Sequence, residues 1–139
     1  DWWIRYVNAA IRNRTGYELG IFDRKTGRYL GNAGLVNVRL EMRSASVAYH
    51  IDPDRWEQGI ATEACGRMVQ FGFEALGLER ISGACMVVNP ASRRVMEHLG
   101  FTFEGVARRE LLKDRKFYDI AHLSVLRDEW KGCRKDENR

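Results

Sequence analysis

Residues 48–64 constrain this chain more than any other stretch. Val47, Tyr49 and Ile51 alternate onto one face, so the run reads as a strand, and Asp52-Pro53-Asp54 ends it because proline cannot donate to a ladder. A short loop then opens a long helix through Gly59 and Ala61. Ala61, Cys65, Met68, Gly72 and Ala75 share one face of that helix, and Glu63, Arg67, Gln70 and Glu74 lie away from it. The first turn of a helix carries unpaired N–H groups and a partial positive charge, so an anion can sit there. Small residues at 59 and 61 remove side chains that would hold a phosphate off the backbone. An ordinary helix start with a convenient glycine explains the spacing equally well.

The rest of the chain punctuates itself clearly. Apolar residues at Trp3, Val7, Ala10 and Ile11 predict a helix over 2–13, with Gly16 as its stop. Strands are expected over 17–22 and 29–38 around Asp23-Arg24-Lys25-Thr26-Gly27, and again over 45–51. Gly77-Leu78 ends the long helix, and a short strand covers 80–88. Asn89 then caps a second helix that begins with Pro90 and stops at Gly100-Phe101. Residues 101–112 and 117–126 form a hairpin turning at Lys113-Asp114-Arg115-Lys116, and the charged tail past Trp130 frays. This order predicts one α+β domain over 1–139, with helices flanking a mixed, largely antiparallel central sheet.

Composition narrows the function classes. A length of 139 residues with 45% hydrophobic content supports a real core. The net charge of +4 suits a polyanionic small ligand. Lys and Arg are scattered, apart from the tail and Arg108-Arg109, which argues against a nucleic-acid partner. No apolar run is long enough to span a bilayer. Cys65, Cys85 and Cys133 form neither a metal pattern nor an even disulfide set, so Cys65 and Cys85 read as small buried hydrophobes. His50, His98 and His122 lack metal-site spacing, so no metal is expected. A reducing, cytoplasmic compartment follows from this usage.

A second constellation, Asn89-Pro90-Ala91-Ser92, follows a strand and opens a helix, pointing Asn89 and Ser92 towards the same end of the sheet as the first helix. Together the two blocks resemble the Gcn5-related N-acetyltransferase (GNAT) superfamily, particularly its RimJ/RimL-type branch of ribosomal-protein N-terminal acetyltransferases. The resemblance covers about residues 17–129. It rests on Trp56-Glu57-Gln58-Gly59-Ile60-Ala61-Thr62-Glu63-Ala64, on Asn89 to Phe101, on Glu104-Gly105, and on the separation of the first two blocks. It implies a GNAT-like fold and acetyl-CoA as co-substrate. By this similarity Gln58, Gly59, Ile60, Ala61 and Thr62 hold the pyrophosphate and Ile51 meets the pantetheine. Asn89 and Ser92 lie nearer the sulfur, and Arg94 or Arg93 reaches the ribose phosphate. Such proteins usually begin with another strand and helix. Their absence here implies a fragment, or an acceptor pocket completed by another subunit such as a homodimer partner.

The resemblance also implies direct attack of an amine on the thioester in a ternary complex. That reaction needs a base for the ammonium, a donor for the oxyanion and an acid for the thiolate. Many superfamily members place a Tyr acid where this chain has Met96, so Ser92 is the expected substitute. Branch members often carry a Glu where this chain has Ser46. Glu110 is the expected base, with Glu41 and Asp119 as alternatives. Trp2, Trp3, Tyr6, Tyr118 and Trp130 could line an acceptor groove or form core edges. The acceptor is a protein N-terminus or a small amine. The alternative is an acyl-CoA-binding module without catalysis.

Overall fold

A computed structural model describes the backbone of residues 2–8 and, with side chains, residues 16–51 and 59–132. The strands are β1 (Trp2–Asn8), β2 (Gly16–Asp23), β3 (Tyr29–Arg39), β4 (Ser44–Ile51), β5 (Arg80–Met86), β6 (Thr102–Lys113) and β7 (Lys116–Leu126). Helix α1 (Ile60–Glu74) precedes β5, and α2 (Pro90–His98) follows it. The strands form one sheet in the order β1-β2-β3-β4-β5-β7-β6. Only β4 and β5 pair in parallel, so the expected mixed, largely antiparallel α+β architecture holds.

The N-terminal expectation does not hold. Residues 2–8 form an edge strand antiparallel to β2, and Gly16 begins β2 rather than ending a helix. Aromatic and β-branched residues (Trp2, Trp3, Ile4, Tyr6, Val7) favour a pleated strand, and pairing along β2 outweighs a four-residue helical stripe.

Both helices cover the same face. Ile81 and Gly83 sit two apart on β5 and therefore point the same way; Ile81 meets Gly72 of α1, and Gly83 meets Met96 of α2. Leu35, Ile81, Leu123 and Val125 of the sheet are wholly buried in one core with Met68, Val69 and Phe73 of α1. Each such side chain contributes about 1.5–3 kcal/mol. The buried stripe of α1 is wider than its spacing suggested. Ile60, Ala64, Val69 and Phe73 join it, while Ala75 is exposed.

The punctuation residues act as expected. Gly77 takes a left-handed φ of 66°, and Leu78 N–H bonds back to Gly72 O at 3.0 Å while its side chain is fully buried. Arg127 Nη1 donates to Phe73 O (2.5 Å) and Leu78 O (3.1 Å), placing a cation at the carbonyl end of α1. Asp114 and Arg115, both at positive φ, make the two-residue turn between β6 and β7. Cys65 and Cys85 are buried, and burial pushes the Cys85 thiol up. No helix among the described residues is long and apolar enough to cross a membrane.

Candidate active site

The site begins with a failure of pairing. β4 and β5 are partners only over Ser44–Ser46 and Arg80–Ser82, after which β5 continues against β7 and β4 against β3. Ser46 Oγ and Ser82 Oγ lie 2.7 Å apart and close the fork. Beyond them the strands splay into a cleft of about 500 Å³, lined by Ser46, Tyr49, Ser82, Ser92, Met96 and His122 among others. Among the described residues, the edge of β4 over 47–50 has no strand partner on the cleft side. An extended ligand with its own amides can therefore pair there as an added strand. A larger depression, about 640 Å³, lies at the start of β5 beside Glu79, Arg80 and Arg127. Three of its charged groups are engaged: Glu79 with Arg43, Arg80 with Glu104, and Arg127 with carbonyls.

At the far end of β4, α1 starts on Gly59. This residue is exposed at φ 77°, makes no side-chain cap, and among the described residues beyond its chain neighbours has no atom within 4 Å of where a Cβ would stand. The first-turn N–H groups of Ile60, Ala61 and Thr62 are thus approachable, as an anion requires. Ile60 and Ile51 are buried, so only their backbones can meet a ligand. Ala61 and Thr62 are half-buried. Gln58 lies outside the described residues, as does the Asp52-Pro53-Asp54 stop. Uncapped helix amides at one end and an unpaired strand edge leading away from them fit a long, phosphate-bearing, amide-containing substrate such as acetyl-CoA.

On the other wall, Asn89 caps α2 by accepting from Ser92 N–H at 3.3 Å, with Pro90 in the first turn. Ser92 Oγ is 2.7 Å from Tyr49 Oη, which also lies 3.2 Å from Ser92 O. This hydroxyl pair bridges the two walls. Burial pushes the Tyr49 phenol up to about 12, opposed by its bond to Ser92, so it remains a proton donor at neutral pH. Tyr49 was legible only as one member of an alternating face; its partner is 43 residues away. Met96 is fully buried, with its sulfur against Gly83, and supplies packing rather than an acid.

The expected acids separate clearly. Glu41 pairs with Arg39 (3.6 Å) in the β3–β4 turn, and Asp119 accepts from Arg109 N–H at 2.8 Å. Glu110 does not line the cleft, but its Oε1 is 2.6 Å from Nε2 of His122, which does. Arg94 is exposed without an ion pair among the described residues. Arg93 is engaged by Glu97 (3.3 Å) and stacks 4.2 Å from the Phe103 ring centre. Of the aromatics, Trp130 packs on Phe73 and donates to Gln70 (2.7 Å), a core edge. Tyr118 lies under Lys116, and the side chains of Trp2, Trp3 and Tyr6 lie outside the described residues. Among the described residues, no three His, Cys, Asp or Glu converge as a metal site would require.

Known proteins share the family and fold of this chain. The acetyltransferase (GNAT) domain family matches residues 1–102. The N-acetyltransferase YoaA of Bacillus subtilis is 33% identical over 124 residues, 89% of this chain and 70% of that protein. "Putative ribosomal N-acetyltransferase YdaF" of the same organism is 33% identical over 133 residues, 95% of this chain and 68% of that one. The solved ribosomal-protein-S5-alanine acetyltransferase of Vibrio fischeri superposes with a TM-score of 0.80 at 25% identity, over 87% of this chain and 67% of that one. This chain therefore belongs to the GNAT acetyltransferases and transfers acetyl from acetyl-CoA, its co-substrate, to an amine.

Proposed function

We propose that this chain is a RimJ/RimL-type enzyme that acetylates protein N-termini in the cytoplasm by direct attack within the β4–β5 cleft. One observation carries the reading. Beyond Ser46 the edge of β4 parts from β5 beside the Tyr49–Ser92 hydroxyl pair, and α1 opens on the small residue Gly59. In this reading Gln58, Gly59, Ile60, Ala61 and Thr62 hold the pyrophosphate and the backbone of Ile51 meets the pantetheine. Asn89 orders the first turn of α2, and Arg94 meets the ribose phosphate. Ser92 gives its proton to the departing thiolate and recovers one from Tyr49, whose hydroxyl is within direct reach. The proton acceptor lies on the Glu110–His122 side. The printed names of YdaF and the Vibrio fischeri enzyme support a ribosomal acceptor. A second copy that completes the acceptor pocket is consistent with the same reading.

The test offers the chain acetyl-CoA with three acceptors: a peptide with a free N-terminus, the same peptide N-terminally blocked but containing Lys, and spermidine. Mass spectrometry then locates the acetyl group. Acetylation of the free N-terminus alone is expected, while modification of spermidine only would overturn the acceptor assignment. Ser92→Ala should lower turnover about 10²-fold with little change in CoA affinity. Unchanged turnover would remove Ser92 from the reaction.

A further inference from the structure

His122 has no part in the fold's core, yet it is tightly placed. Its neighbours across the sheet are Ala84 of β5 and Gly105 of β6, the two smallest side chains available, so its imidazole has room on the face away from the helices. Of the described side chains lining the cleft, only Tyr49 and His122 carry an ionisable group. Tyr49 holds its proton too firmly to serve as a base near neutrality. Among the described residues no carboxylate lines the cleft.

The hairpin is distorted to bring Glu110 to this imidazole. Between the pairs Ala107–Ile120 and Leu111–Tyr118, β6 carries three residues and β7 only Asp119. Arg109 sits at φ 52° inside this bulge, and its N–H is held by Asp119 Oδ1 at 2.8 Å. Non-glycine residues in that region are strained by about 1–3 kcal/mol, and such strain persists only where surroundings enforce it. The bulge shortens the run along β6, so Glu110 Oε1 reaches His122 Nε2 at 2.6 Å. A carboxylate accepting from Nε2–H leaves the lone pair on Nδ1.

We propose that His122 is the catalytic base of this chain and that Glu110 is its positioning residue. The inference rests on the cleft being the reaction site, as argued above. Nδ1 takes one proton from the acceptor ammonium, and the freed amine attacks the thioester carbon to form the C–N bond. The C–S bond then breaks with its electron pair leaving on sulfur. The remaining surplus proton on nitrogen passes to the Tyr49–Ser92 hydroxyl pair as Ser92 protonates the sulfur, so both hydroxyls end the cycle as they began it. The imidazolium releases its proton to solvent, so one proton is set free for each acetamide and CoA thiol formed. The charged groups around His122 are Glu110 and Glu104 on β6, Arg80 on β5, which neutralises Glu104, and Asp119 on β7, which is committed to Arg109.

The test compares wild type, His122→Gln and Glu110→Gln for steady-state turnover across pH, with CoA-dependent thermal shifts on the same samples. His122→Gln should lower kcat/KM for the amine by about 10²–10⁴-fold while the CoA-dependent shift is retained. The defect should shrink as pH rises and solvent supplies free amine, and also with a weakly basic amine acceptor. Glu110→Gln should fall between the two and change the pH profile. Its exposed position keeps it informative if His122→Gln folds poorly. Equal turnover of His122→Gln and wild type, or a defect independent of pH and amine basicity, overturns the assignment while leaving the cleft reading intact. A wild-type chain that binds CoA without amine-dependent turnover overturns both.

Discussion

Replacing Gly59 separates the fold's need for glycine from the ligand's. Gly59 sits at φ 77° with no described atom near a virtual Cβ, so the Cβ of either Ala or Trp meets no described neighbour. The penalty is the left-handed backbone alone, about 1–2 kcal/mol for either residue. For 139 residues the unfolding entropy is about 0.3 kcal/mol per kelvin, which converts this to a loss of about 3–7 °C. Saturation with CoA at about 100 times its Kd stabilises a binding-competent chain by about 2.7 kcal/mol, or about 9 °C. Gly59→Ala should melt 3–7 °C low and keep most of the CoA shift. Gly59→Trp should melt equally low and lose the shift, because the indole occupies the approach to the first-turn amides. Differential scanning fluorimetry with and without CoA reads both quantities. A full shift in Gly59→Trp would refute the placement of the pyrophosphate at this helix start.

Three further outcomes concern Tyr49, Glu104 and Gly83. Tyr49 is raised to about 12 from an ordinary 10.0, so its stabilising effect is complete below pH 10 and lost as pH climbs towards 12. Tyr49→Phe should flatten that alkaline loss in denaturant titrations, and an unchanged slope would contradict it. Glu104 is lowered to about 2, first by the Arg80 fork (2.7 Å for both bonds) and then by Ser124 at 2.8 Å. Its contribution is full above pH 4.5 and fades as pH falls towards 2. Because the pair is well exposed, Glu104→Gln should cost only about 1 kcal/mol at pH 7 and nothing near pH 2, read by chemical denaturation. Gly83→Ala puts a Cβ 2.3 Å from the Met96 sulfur and should lower stability by about 1–3 kcal/mol, with no loss expected only if Met96 can swing aside.

Local signals carried most of the fold. The Gly77-Leu78 stop, the Asn89 cap with Pro90 and the 113–116 turn depend on residues close in sequence, and each sits where its chemistry demands. Residues 2–8 were misread because a four-residue stripe cannot show that β2 waits to pair with them. The helix starts at Gly59 and Asn89, on which the proposed cofactor site is built, were legible for the same local reason. The contacts on which the proposed catalytic side is built were hidden. Tyr49 meets Ser92 only because the two walls fold together, and Glu110 meets His122 only because a bulge breaks the alternation that sequence reading assumes.

The central claim is that acetyl-CoA lies in the fork between β4 and β5, with its thioester between the Tyr49–Ser92 pair and the His122 side of the cleft. A crystal structure of this chain with CoA tests it most directly. The account predicts phosphate oxygens on the N–H groups at Gly59 to Thr62, pantetheine amides paired to β4 beyond Ser46, and sulfur within reach of Ser92. CoA bound elsewhere, or with its sulfur pointing away from Ser92 and His122, would contradict it.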